Sequence, residues 1–165
     1  MLILLLKFGL QVEHLKTEVF HFSRSHSAFN PLPLDLSSIS GPLLILKDTW
    51  KCLGFIFDRK LCFHKHINYY ANKAISTVKC MKILDNSTRG LNPQQKRLLY
   101  RSCALPIALY SFQLWFYSKA PLSYPLNSLG KLQRRAAIWI LGAFKTSPAY
   151  GIEAIVGLIP IYLHL

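Results

Sequence analysis

Residues 49–66 read TWKCLGFIFDRKLCFHKH, and the chain changes character across them. Trp50, Cys52, Leu53, Phe55, Ile56 and Phe57 form a run that is apolar on both faces, interrupted only by Gly54. Its length suits a strand, and it is too evenly apolar for one facing solvent, so the pattern predicts a single buried strand. A glycine inside such a strand marks a bulge, or a place where another backbone or a ligand comes close. Asp58-Arg59-Lys60 then turns the chain, and a basic, histidine-containing helix starts near Phe63. Strand-like segments precede this point and helices follow it. The expected fold class is α+β: a small antiparallel sheet of three or four strands in the N-terminal third, then a mostly α-helical region.

On the N-terminal side, residues 1–8 read as the end of a helix stopped by Gly9, as in a piece of a longer chain. Residues 16–23 (KTEVFHFS) alternate polar and apolar positions, as a half-buried strand does. Residues 28–42 are loop-like, with a short edge strand at 34–36, and residues 43–46 form another strand.

On the helical side, Phe63, Ile67, Tyr70, Ala71, Ala74, Val78 and Met81 share one face on a 3.6-residue period. Lys65, Asn72, Ser76 and Lys79 fall opposite, with Lys73 and Lys82 at the flanks, and the helix stops between Leu84 and Gly90. Asn92-Pro93-Gln94-Gln95 is a start signal: a capping side chain, proline at the first helical position and glutamine at the third. Lys96, Arg97 and Arg101 share the first turns of that helix, and Pro106 kinks or splits it. A further helix, from Leu122 or Leu126 to Leu141, keeps Leu126, Leu129, Ala136 and Ile140 inward and projects Lys131, Arg134 and Arg135 together. Gly142 ends it, and a last short helix lies near residues 152–156.

The chain of 165 residues is 52% hydrophobic and only 16% charged, which excludes disorder and leaves much apolar surface to bury. Twenty Lys and Arg against seven Asp and Glu give a formal +13, a balance suited to a polyanion: nucleic acid first, an anionic membrane surface second. From Arg59 to Arg101 there are ten Lys and Arg and one acid, Asp85. A charged helix face is ordinarily just a solvated face, but the acids that usually balance one are missing here, which favours phosphate contact. The cysteines, Cys52, Cys62, Cys80 and Cys103, are spaced like packed, reduced thiols rather than a disulfide framework. MLILLLK lacks the basic start, long apolar core and cleavage site of a signal peptide, so the expected location is intracellular, nuclear or cytoplasmic. Residues 103–117 are too short and too interrupted for a membrane span.

Phosphoryl transfer by two metal ions needs clustered carboxylates. Glu13, Glu18, Asp35, Asp48, Asp58, Asp85 and Glu153 are scattered, mostly in turns, and make no such site. Cys62, His64 and His66, with Cys52 ten residues earlier, have a spacing zinc could use on an extended segment. The helical pattern beginning at Phe63 sends those side chains in different directions, and no metal site is expected. Phosphate-cradling glycine loops, nucleophile elbows and Cys-His nucleophile pairs are absent.

Five segments, in order, carry a resemblance: GLQVEHLKTEVFHFSRS, WKCLGFIFDRKLCFHKHI, GLNPQQKRLLYRSCALPIALYSFQLWFY, KLQRRAAIWILGAFKTSP and GIEAIVGLIP. Together they resemble the C-terminal part of the reverse transcriptase of non-LTR (LINE-like) retrotransposons, of the kind abundant in fungal genomes. The resemblance implies two regions: residues 1–58, the end of the palm with the primer-grip strand, and residues 59–165, the helical thumb and connection. Lys16 would match the lysine of the K-T-E segment that follows the catalytic motif. Lys51 and Gly54 would belong to the primer grip, where glycine lets the nucleic-acid backbone approach. Lys65, Lys73, Lys79, Lys82, Lys96, Arg97, Arg101, Lys131, Arg134 and Arg135 would hold an RNA/DNA template–primer duplex by backbone and shape, without sequence readout.

Two positions depart from the family pattern: Cys52 stands where an aromatic is usual, and Ser111 where glycine usually follows the tyrosine. The family's catalytic Asp-Asp pair, with the Mg2+ it binds, would lie upstream of this sequence. The expectation is therefore a reverse-transcriptase fragment, not itself an enzyme, that keeps the template–primer surface and partners the missing polymerase part. The alternative is a non-functional or repurposed basic protein that meets acidic membranes or acidic proteins.

Overall fold

The computed structural model describes residues 18, 20–23, 47, 49–85, 90–117 and 123–165. The chain divides into two compact units, Met1–Leu61 and Cys62–Leu165. The helix read at residues 1–8, Lys16, and the short strands at 34–36 and 43–46 lie outside the described residues. Of the strand read at 16–23, residues 18 and 20–23 are described and belong to no ladder.

In the first unit the run predicted as one buried strand is a hairpin instead. Strands β1 (Thr49–Cys52) and β2 (Phe55–Asp58) pair antiparallel, Trp50 opposite Phe57 and Cys52 opposite Phe55. Among the described residues this is a two-stranded sheet, where three or four strands were expected. The chain reverses at Leu53-Gly54, both at positive φ (49° and 84°), as the favoured two-residue hairpin turns require. Gly54 thus serves the turn rather than a bulge. Leucine looked like part of the apolar run, yet Leu53 is 85% exposed at the tip. The arms are half-buried except for exposed Lys51. Aromatic contact holds them: Trp50 stacks on Phe57 at 5.4 Å between centroids, and Phe22 meets Phe57 edge-on at 6.4 Å. The turn expected at Asp58-Arg59-Lys60 is present, closed by the Leu61 amide donating to the Asp58 carbonyl at 2.9 Å.

The second unit is helical. Helix α1 (His64–Met81) buries all seven residues of its predicted apolar face, beginning with Phe63 just before its first turn. Its polar face, Lys65, Asn72, Ser76 and Lys79, is exposed. A short 3-10 turn, Lys82–Leu84, follows. Helix α2 (Pro93–Leu99) starts on the predicted capping box. The Gln95 amide donates to Asn92 Oδ1 at 2.8 Å, and the Asn92 amide to Gln95 Oε1 at 3.0 Å.

The chain then widens into a π-helical stretch, Tyr100–Ala104, before α3 (Leu105–Ala108). Pro106 has no N–H to give to the preceding turn and its ring crowds the carbonyls there. Widening the helix just upstream makes room without breaking it. Helix α4 (Phe112–Trp115) is one turn, entered through Ser111 at φ 62°. Ser111 thus adopts the left-handed backbone that glycine tolerates best, at the position where the resembled family usually has glycine.

Helix α5 (Ser123–Leu141) is the centre of this unit, touching α1, α2, helix α6 (Ala149–Val156) and the last turn, Ile161–Leu163. Leu129, Leu132, Ala136 and Ile140 are fully buried along it, each leucine contributing about 2 kcal/mol. Enclosed small residues, Ala71 and Ala74 on α1 and Ala136 and Ala137 on α5, allow helix backbones to approach closely. At Gly142 the helix ends in a reversing cap, with the Ala143 amide donating to the Ile138 carbonyl at 3.1 Å. The four cysteines are free thiols, but Cys62, Cys80 and Cys103 are exposed rather than packed.

Candidate nucleic-acid interface

Lys79 and Lys82 follow buried Val78 by one and four residues, about 100° and 40° around the helical axis, so they edge the α1 face that packs on α5. There Lys131, Arg134 and Arg135 project within five residues of one another, slightly more than one helical turn. These five cations line one groove of about 510 Å³, joined by Lys145 from the α5–α6 loop. Its apolar residues are Ile75, Val78 and Ile138, and among the described residues no carboxylate lines it. Lys79, Lys82, Lys131, Arg135 and Lys145 are exposed.

Arg134 is half-buried and structural as well as cationic. Its guanidinium Nη2 donates to the carbonyls of Lys145 (2.9 Å) and Ser147 (3.2 Å). That clamp folds the α5–α6 loop back along α5 and so brings Lys145 to the groove. Sequence reasoning missed Lys145 because it sits in a loop with no periodicity. The signal that could have found it is the glycine stop at Gly142, which turns the chain back beside the helix it has just left.

The other predicted cations lie elsewhere. Lys65 and Lys73 are exposed on α1 but do not line the groove, and Lys73 sits 6.0 Å over the Tyr70 ring. Lys96 is buried and held: its ammonium pairs with Asp85 at 2.6 Å and lies 5.8 Å over the Trp139 ring. Arg97 packs its guanidinium against Gly157, where a methyl group would come within 3.1 Å of Nη1 and crowd it, and where φ is +68°. Arg101 is exposed, near the chain's last residues. Burial first, and then the Arg101 charge, hold the His164 pKa below its ordinary value. Lys51 and Gly54 belong to the hairpin of the first unit.

The histidines of the zinc-like spacing separate in space. His64 stacks on Tyr124 at 4.1 Å, while His66 is buried with a ring nitrogen 3.1 Å from the Tyr110 carbonyl. Burial lowers the His66 pKa, and that hydrogen bond opposes the shift. Among the described residues no three of His, Cys, Asp and Glu converge as a metal site. No helix among the described residues is long and apolar enough to cross a membrane.

A surface of this kind, six cations over a shallow apolar floor with no acid among them, is complementary to a row of phosphates. The chain is similar to a curated Drosophila melanogaster protein described as "Probable RNA-directed DNA polymerase from transposon BS", at 29% identity over 98 residues. The match covers 59% of this chain but only 10% of that protein's length. No family model matches the sequence, and no solved structure matches the fold.

Proposed function

We propose that this chain is the template–primer-holding portion of a retrotransposon reverse transcriptase of the non-LTR, LINE-like kind, with its helical unit acting as thumb and connection. The groove between α1 and α5 takes the phosphate backbone of an RNA–DNA duplex and reads no sequence. The polymerase aspartates and their Mg2+ belong to a part of the enzyme outside this sequence, and the chain binds without extending a primer. One observation carries this reading: Lys79, Lys82, Lys131, Arg134, Arg135 and Lys145 converge on one groove, with no carboxylate lining it among the described residues. The similarity to a transposon polymerase supports it.

Fluorescence anisotropy of a labelled RNA–DNA duplex against salt tests it. Affinity should fall with a log–log slope of about 4 to 5, alike for unrelated sequences. A flat response from low to moderate salt would sink the proposal.

A basic protein that meets anionic membranes is the competitor, and one feature favours it. The face of α1 opposite its lysines is buried, but Phe144, beside Lys145, is 84% exposed. Vesicles rich in anionic lipid, added as competitor, decide between the two: displacement of the duplex at matched charge would favour the membrane.

A further inference from the structure

A second cleft, of about 440 Å³, opens on the other side of the Lys131–Arg134 turn of α5, against α6 and the C-terminal turn. Lys131 and Arg134 line both clefts, so the two adjoin at that turn. Its walls include Tyr150 and Tyr162, which are 81% and 56% exposed. Those values set them apart from the packing aromatics of this unit, Tyr100 at 1% and Trp139 at 4%. Exposed Asn127 lines the same cleft and offers both a donor and an acceptor, while buried Gln133 and Glu153 also border it. Gln133 spends its amide N–H on the Ile159 carbonyl at 3.1 Å. Burial pushes the Glu153 carboxyl up, and a hydrogen bond from Gln133 opposes the shift.

From this arrangement we infer that the cleft accepts an unpaired nucleobase from a single strand that continues out of the duplex groove, stacked on Tyr150 and Tyr162, with its phosphates on Lys131 and Arg134. The inference rests on the proposed duplex-binding groove. Stacking suits the site because every base has a π-face, so exposed tyrosines beside cations bind single strands with little regard to sequence. A partner protein would also value the tyrosines. The two shared cations and the adjoining cationic groove favour a polyanion.

The test compares a blunt RNA–DNA duplex with the same duplex bearing a single-stranded tail that carries a fluorescent purine, using the 165-residue chain. The tail should tighten binding, and the purine should be quenched. Tyr150→Ala and Tyr162→Ala should each lose about tenfold on the tailed duplex, with quenching reduced and blunt-duplex affinity unchanged. Tyr150→Phe and Tyr162→Phe should retain both. Because both tyrosines are more than half exposed, matched thermal melts will show that the variants fold.

The inference is overturned if the wild-type chain gains nothing from the tail, or if the alanine variants lose equally on both substrates. It is also overturned if their only effect is on self-association. Failure of the groove reading looks different: blunt-duplex binding would then show no salt dependence, whatever the tyrosines do.

Discussion

Neutralising Lys79, Lys131 and Arg135 to glutamine lowers the formal charge from +13 to +10 and removes cations from both walls of the groove. All three are exposed, so stability should stay within about 0.5 kcal/mol of wild type. Six cations line the groove, but Arg134 already donates to the Lys145 and Ser147 carbonyls. Counting the other five as phosphate contacts, the expected log–log salt slope is about −4.5. Losing three leaves about −1.8, a change well outside the error of an anisotropy titration. The comparison that gives this meaning is a second triple, Lys65→Gln, Lys73→Gln and Arg101→Gln, with the same charge change at exposed sites outside the groove. That triple should keep a slope near −4.5 and lose little affinity. If the two triples weaken binding equally, the groove has no special role and net charge alone attracts the duplex.

Three further outcomes follow from single residues. Ser111→Gly relieves a left-handed backbone and should stabilise the chain by about 0.5–1 kcal/mol in urea unfolding, the glycine's extra unfolded-state freedom offsetting part of the gain; a destabilised variant would show that the serine side chain matters more than its φ. Asp85→Asn strands the buried Lys96 ammonium and should cost about 1–3 kcal/mol, discounted because Asp85 is 35% exposed, while adding Lys96→Met should recover most of the loss; no recovery would mean the ion pair is not the source. Glu153→Gln should raise the melting temperature at neutral pH, because burial raises the folded-state carboxyl pKa, a shift that the Gln133 hydrogen bond only partly opposes. The wild type's deficit should fade as pH falls through that raised value and vanish below the ordinary 4.5, so a difference that persists in acid refutes this account.

The helical unit was legible where one side of an element is buried. All seven apolar positions assigned to α1 are in the core, and the Asn92–Gln95 start was written in residue types with a single geometric use. The hairpin was not, because period alone cannot distinguish one apolar strand from two short ones joined by an apolar turn residue. Leu53 at positive φ contradicts its own propensity, and only the pairing of Trp50 with Phe57 around it explains why the chain bends there. His66, Gln133 and Glu153 were likewise invisible as buried groups, since a polar letter on a helix says nothing about which neighbour will cover it.

The site divides along the same line. Lys131, Arg134 and Arg135 could be grouped from sequence because they lie on one helix and helical spacing fixes their face, whereas the pattern put Lys79 opposite the apolar face of α1 and Lys82 at its flank. That the two sets share a groove depends on how α1 packs against α5, a pairing no local pattern encodes. Lys96 shows the converse: its spacing with Arg97 and Arg101 suggested one exposed cationic patch, yet Asp85 and Trp139 draw it inward. Of the nine described Lys and Arg between Arg59 and Arg101, only Lys79 and Lys82 line the groove. The charge density that drew attention to that stretch is therefore mostly spread over other surfaces. The concentration that matters arises from helix packing, with α5 and its loop supplying Lys131, Arg134, Arg135 and Lys145. A duplex-binding role in this chain thus stands or falls on the contact between α1 and α5, not on the basic run in the sequence.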